Sequence, residues 1–214
     1  MKKLSRRRFI VASAATLTPL GPAWVAQAKG DRLSPTPTEV EGPFYPVRAQ
    51  KDRDFDLTRI EGRQESAQGR KIEIIGRTID TGGRPVEGAI IELWQANAAG
   101  RYRHQRDPNP AATDENFQGW AIVPSGDKGE FRFKTIFPGA YPASSGWMRP
   151  PHIHFKIRTS GLELTTQMYF PGHPLNERDL LLQRKPEPAQ ARMIAKKISK
   201  VPEIYEFEIV LAVS

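Results

Sequence analysis

The stretch Lys71-Ile72-Glu73-Ile74-Ile75-Gly76-Arg77-Thr78-Ile79 leads through Thr81-Gly82-Gly83-Arg84-Pro85 into Ala89-Ile90-Ile91-Glu92-Leu93-Trp94. Two short isoleucine-rich runs separated by a Gly-Gly and proline turn read as two β-strands, because branched side chains suit a pleated surface and Gly and Pro break it. Similar runs recur at 120–123, 130–137, 153–159, 164–170 and 204–213. Many short strands bounded by turns predict an all-β protein, an antiparallel sandwich or barrel with long loops. Only 176–183 and 188–199 read as helix, the second with Ala191, Ile194, Ala195 and Ile198 on one face.

Composition agrees with that class. A chain of 214 residues is long enough for one well-buried domain, and its 19 prolines and 17 glycines imply many turns. There is no cysteine, which excludes disulfides, thiolate metal ligands and a thiol nucleophile. The formal charge of +8 is unevenly placed: residues 1–28 hold Lys2, Lys3, Arg6, Arg7 and Arg8 and no acidic residue. What remains is interspersed with Asp and Glu, so nucleic acid is not an expected partner.

The first residues read as an address. Ser5-Arg6-Arg7-Arg8-Phe9-Ile10, an apolar stretch to Val25 and then Ala26-Gln27-Ala28 have the layout of a twin-arginine export signal with a small-X-small cleavage site. The apolar stretch is broken by Pro19, Gly21 and Pro22, so no stable membrane insertion is expected. The expected organisation is a signal peptide over 1–28, an arm and extended loop over 29–70 and a β-sandwich over 71–214, with a periplasmic or secreted destination. Residues 29–40 read as a flexible arm leading to Glu41-Gly42-Pro43-Phe44-Tyr45-Pro46.

The chemistry concentrates in Arg149-Pro150-Pro151-His152-Ile153-His154-Phe155-Lys156-Ile157. Alternate residues of a strand share a face, so His152 and His154 project together while Ile153, Phe155 and Ile157 project the other way. Two imidazoles on a stiff strand make half a metal site. Upstream lie Tyr102, after the run 94–101, and Tyr141, in Phe137-Pro138-Gly139-Ala140-Tyr141-Pro142. Taken singly, each of these residues also fits ordinary packing, and the paired strands at 71–94 fit a non-catalytic, transthyretin-like binding module.

As a set, Tyr102, Tyr141, His152 and His154 with Arg149 resemble the intradiol ring-cleavage dioxygenases, most nearly the protocatechuate 3,4-dioxygenase type. The resemblance extends from Glu41-Gly42-Pro43-Phe44-Tyr45-Pro46 through Asp114-Glu115-Asn116-Phe117-Gln118-Gly119 to Thr165-Thr166-Gln167-Met168-Tyr169-Phe170. It implies an antiparallel sandwich and a non-haem Fe(3+) cofactor. Two hard phenolates favour ferric over ferrous iron, and with a hydroxide the charges cancel, which suits a partly buried cleft. Copper or zinc on the same four side chains is the other metal reading.

Carried over by position, the resemblance makes Tyr141 and His154 the axial ligands and Tyr102 and His152 the equatorial ones. Tyr141 would be the ligand that leaves and takes up a substrate proton. Arg149 would stand beside the substrate ring, while Gly42, Pro43, Trp94 and Gln167 would line the pocket. The implied partners are a small aromatic diol and O2, with cleavage between the two oxygenated carbons giving a muconate-type diacid. A complete ligand set in one chain needs no second subunit type, and a homo-oligomer is the expected assembly. One departure concerns the pocket wall: Tyr141-Pro142 is followed by Ala143-Ser144-Ser145-Gly146 before Trp147, where the protocatechuate type has its tryptophan directly after the Tyr-Pro pair.

Overall fold

The computed structural model describes residues 32–48, 50 and 52–213, and the proposed export signal lies outside them. Eleven strands are present among the described residues: β1 Lys71–Asp80, β2 Ile90–Trp94, β3 Trp120–Pro124, β4 Glu130–Ile136, β5 Tyr141–Ser144, β6 Trp147–Arg149, β7 His152–Arg158, β8 Glu163–Tyr169, β9 Lys196–Lys200, β10 Glu203–Glu206 and β11 Ile209–Leu211. The mostly antiparallel sandwich expected from the strand pattern is what forms.

One layer runs β3-β2-β7-β8, all antiparallel. The other is built on β1, which pairs antiparallel with β4 on one edge. Its other edge is shared end to end by β10, opposite Glu73 to Ile75, and β11, opposite Thr78 to Asp80, both parallel to it. The single run expected over 204–213 is therefore two strands divided at Phe207, whose amide still donates to the Ile75 carbonyl at 2.9 Å.

Period-two alternation builds the core. Ile72 and Ile74 of β1 and Phe131 and Phe133 of β4 meet Ile91 and Leu93 of β2 and Ile153, Phe155 and Ile157 of β7, all buried in one cluster. Because those positions of β2, β7 and β8 point inward, Trp94, His152, His154, Lys156, Gln167 and Tyr169 must stand on the outer face of the β3-β2-β7-β8 layer. The functional face is thus set by the same alternation that fills the core.

Three local expectations change. The helix expected over 188–199 is only α2, Glu187–Ala191; the chain then crosses Tyr169, exchanging main-chain bonds with it from Met193 and Ala195, and enters β9. Pairing with β8 and β10 overrides helix propensity there, and Ile198 is exposed instead of lying on a buried face. The other helical stretch is a 3₁₀ turn, Pro174–Arg178, followed by α1, Leu180–Gln183. The hairpin β5-β6 was not anticipated at all.

The arm is not loose. Leu33, Thr36 and Glu39 donate their amides to the carbonyls of Thr81, Val210 and Thr165 at 2.8 to 2.9 Å. Gln167 Nε2 donates to the Val40 carbonyl at 3.0 Å, and Tyr45 donates its hydroxyl to Glu92 Oε2 at 2.8 Å. Lys156 pairs with Glu41 and lies 4.0 Å from the centre of the Tyr45 ring. These contacts carry the arm over the outer face of β2, β7 and β8.

Candidate metal centre

The four expected side chains are brought together. Nε2 of His152 and Nε2 of His154 are 3.2 Å apart, and the Tyr102 hydroxyl lies 3.4 Å from the first and 3.1 Å from the second. The Tyr141 ring stands edge-on to Tyr102 with centroids 5.4 Å apart, so the two phenols are neighbours. All four side chains are almost fully buried.

Local structure explains why each is where it is. Asn97 Oδ1 accepts from the amides of Ala99 and Arg101, and Asp107 Oδ2 accepts from the amide of Tyr102 at 2.6 Å, so a long loop is held open at Tyr102. Gly100, at φ +80°, allows that loop to press against the Ala140 carbonyl; any side chain there would collide with it. Tyr102 and Tyr141 are thereby held by two loops in main-chain contact.

The second nitrogen of His152 is accounted for by Pro150. Its Nδ1 lies 2.8 Å from the Pro150 carbonyl, which can only accept, so Nδ1 carries the proton and Nε2 faces the cluster with a free lone pair. His154 is fixed by packing instead. Trp94, its neighbour across the β2-β7 pair, stacks on it with centroids 4.7 Å apart and planes 12° from parallel, while its Nδ1 has no partner among the described residues.

Burial, with Arg149 repulsion added, holds both imidazoles well below the usual histidine pKa, so they are neutral donors. Burial also pushes both phenols up; for Tyr102 the neighbouring Tyr141 adds to this, and for Tyr141 the charge of Arg149 opposes it. Neutral imidazoles beside phenols that need a strong cation to ionise are a donor set for a hard, highly charged metal. Donor separations of 3.1 to 3.4 Å also fit: atoms about 2.0–2.1 Å from one ion stand roughly 2.9–3.4 Å apart between right-angled and tetrahedral geometry. The described residues contain no cluster of three His, Asp or Glu of metal-site spacing, so phenols are needed to complete the histidine pair.

Arg149 is buried beside this set, opposite Tyr141 in the β5-β6 hairpin. Its Nε donates to Asp179 Oδ2 at 2.6 Å, and its Nη2 to Gln167 Oε1 at 2.7 Å and to the Tyr169 hydroxyl at 3.0 Å. Asp179 also caps α1, accepting from the amides of Leu181 and Leu182. Sequence reasoning missed Asp179 and Tyr169; the only available signal was the N-cap pattern of an Asp before Leu180-Leu181-Leu182. Trp147, displaced along the chain, begins β6 and packs on Arg149, whose guanidinium lies 5.5 Å from its ring centre.

The expected pocket residues are mostly supports. Trp94 braces His154, and Gln167 joins the arm to Arg149; both are fully buried. Gly42, at φ +78°, comes close to His154, where an added Cβ would lie 3.5 Å from Cε1. Pro43 is exposed on the turn that presents Phe44, whose ring lies 5.0 Å from that of Tyr102 and 6.3 Å from that of Tyr141. His173 caps the 3₁₀ turn, and His104 accepts the amide of Arg106 on its Nδ1. A separate cleft of about 580 Å³ opens beside the Tyr102 loop, among Arg48, Arg63, Arg101, Arg103 and His104. None of the quartet lines it.

Comparison with known proteins agrees with this geometry. Residues 40–213 match the family model described as Dioxygenase. The protocatechuate 3,4-dioxygenase beta chain of Burkholderia cepacia is 40% identical over 192 residues, covering 84% of this chain and 81% of the relative. Catechol 1,2-dioxygenase 1 of Acinetobacter lwoffii is 32% identical over 154 residues, 65% of this chain but only 48% of that one. Among solved structures, the dioxygenase domain of a carbohydrate-binding fusion protein from Streptomyces sp. SirexAA-E superposes with a TM-score of 0.63 at 29% identity, covering 85% of this chain and all of that one. These relatives favour an enzyme over a binding module.

Proposed function

Since the chain belongs to the intradiol ring-cleavage dioxygenase family and is an enzyme of that kind, we propose that it opens a catechol-type ring between its two hydroxylated carbons with O2, on Fe(III) held by Tyr102, Tyr141, His152 and His154. The observation that carries the metal assignment is the convergence of two Nε2 atoms and the Tyr102 hydroxyl within 3.1 to 3.4 Å of one another, with the Tyr141 phenol adjoining. Bound there, Fe(III) would draw electron density from the diol and so make the ring reactive toward dioxygen.

The chain's own groups have separable tasks in this reading. Pro150 fixes the His152 tautomer, and Trp94 fixes the plane of His154. Burial favours the neutral phenol of Tyr141, so its oxygen, once free, is a base suited to taking a proton from a substrate hydroxyl. Arg149, anchored by Asp179, supplies a fixed positive charge that favours the electron-rich form of the ring. Phe44 and the arm behind it keep bulk water from the phenols.

Export through a twin-arginine signal, after folding and metal loading in the cytoplasm, and assembly as a homo-oligomer complete the proposal. The test is oxygen uptake by iron-loaded protein with catechol, protocatechuate and hydroxyquinol, with product analysis. Consumption of one O2 per diol with formation of a muconate-type diacid supports it; an iron-loaded protein that consumes no O2 with any of them overturns it.

A further inference from the structure

The cleft beside the Tyr102 loop has a composition that the proposed ring chemistry does not require. Among the residues that line it are four guanidinium groups, Arg48, Arg63, Arg101 and Arg103, and a single carboxylate, Asp52. That carboxylate is already engaged, with Oδ2 accepting the amide of Glu61 at 2.5 Å. Arg63 and Arg103 share Glu115 at 3.7 and 3.6 Å, beyond hydrogen-bonding distance, and that carboxylate is more than half exposed. Arg48 donates to the amide oxygen of Gln105, a neutral partner.

Two of the side chains that line the cleft carry buried donors with no acceptor among the described residues. His104 is 8% exposed, and its Nδ1 accepts the amide of Arg106, so in the neutral ring Nε2 carries the proton, and Nε2 is unpartnered. Arg101 Nη1 donates to the Ala111 carbonyl, while its buried Nε is also unpartnered. A buried donor without an acceptor is unfavourable. Four guanidinium groups against one engaged carboxylate, with two such donors beside them, suit an anion with several acceptor oxygens.

We propose that this cleft is a binding site for a carboxylate or similar oxoanion, held by Arg48, Arg63, Arg101, Arg103 and His104. Two sources of that chemistry follow from the proposed reaction, on which this choice of ligand rests: the carboxylate of an aromatic acid substrate, or the diacid formed when the ring opens. The cleft adjoins the metal centre through shared structure. Arg101 and Arg103 flank Tyr102 in sequence, and the Phe44 ring that packs on Tyr102 also lies 5.8 Å from that of His104.

The experiment is calorimetric titration of the full chain, loaded with iron, at low ionic strength with benzoate, cis,cis-muconate and inorganic phosphate, repeated on an Arg48→Gln/Arg63→Gln double variant. Circular dichroism checks that the variant is folded. Saturable binding of at least one anion, weakened tenfold or more in the double variant, is the expected result. Preference for benzoate assigns the site to the substrate's carboxylate, preference for muconate to the product, and equal binding of all three to oxoanions in general. No saturable binding to the wild type, or equal affinity in both proteins, overturns the proposal. Because binding is read without turnover, a protein that fails to cleave diols but still binds these anions separates the two proposals.

Discussion

Arg149 Nε and Asp179 Oδ2 lie 2.6 Å apart with 5% and 0% of their side chains exposed, so the guanidinium beside the Tyr–His cluster is held by a buried acid. The pair is coupled to Gln167 and Tyr169, and through Gln167 to the arm at Val40.

Asp179→Asn is therefore expected to leave a buried, uncompensated charge, at a cost of about 3–5 kcal/mol. Asparagine can still cap α1, so the loss is electrostatic. Tyr169→Phe removes a hydroxyl that accepts from Arg149 and lies within donating distance of Gln167 Oε1 and Asp179 Oδ1, but it leaves the charge pair intact and is expected to cost less, about 1–3 kcal/mol. Urea unfolding of the two variants checks this, and equal losses would show that Asp179 does not compensate Arg149.

The colour of the protein reports on its phenols. Iron-loaded protein is expected to absorb visible light by phenolate-to-ferric charge transfer and to lose the band, along with thermal stability, on chelation. Tyr141→Phe and Tyr102→Phe should each weaken or shift the band, and Tyr141→Phe should lower kcat at least a hundredfold. A Tyr141→Phe protein with the wild-type spectrum and rate would remove Tyr141 from the metal centre.

Gly100 and Gly83 share φ +80°, but an added Cβ meets the Ala140 carbonyl at Gly100 and nothing within 4 Å at Gly83. Gly83→Ala should cost only the left-handed conformation, about 1 kcal/mol. Gly100→Ala should cost about 1–3 kcal/mol more from the collision, and should also lower iron occupancy by displacing Tyr141. Denaturation midpoints and metal analysis of both variants decide the matter; indistinguishable variants would mean that the loop contact does not position the tyrosine.

Acid should destabilise the metal-free protein through its histidines. Burial first, and Arg149 second, hold the folded pKa values of His152 and His154 well below normal. Unfolded imidazoles titrate near pH 6.5, so the unfolded chain takes up protons that the folded one refuses. The stability is present above about pH 6.5 and declines as pH falls toward the folded values, by up to roughly 2.7 kcal/mol per pH unit for two groups. Urea midpoints at pH 7.5 and 5.5 should differ less in His152→Asn/His154→Asn than in the wild type; an equal drop in both proteins would place the acid sensitivity elsewhere.

The quartet was legible because strand alternation and donor chemistry are local: Ile153, Phe155 and Ile157 declare the inward face, so His152 and His154 take the other. The ring partner of His152 was not legible, because it is the carbonyl of Pro150, a group every residue carries. Nor was β9, whose Lys196-Lys197-Ile198-Ser199-Lys200 has no strand pattern and is ordered by pairing with β10. Asp179 was hidden for a related reason, since its partner Arg149 is thirty residues away and only the folded sheet brings them together.

The end-to-end sharing of one edge of β1 by β10 and β11 ties the histidine strand to residues far downstream of it. β7 can display its histidines only when Ile153, Phe155 and Ile157 are covered, and before residues 203–211 are synthesised β1 and β4 offer only part of that cover. Display of His152 and His154 on the outer face therefore depends on residues that follow both of them in the chain.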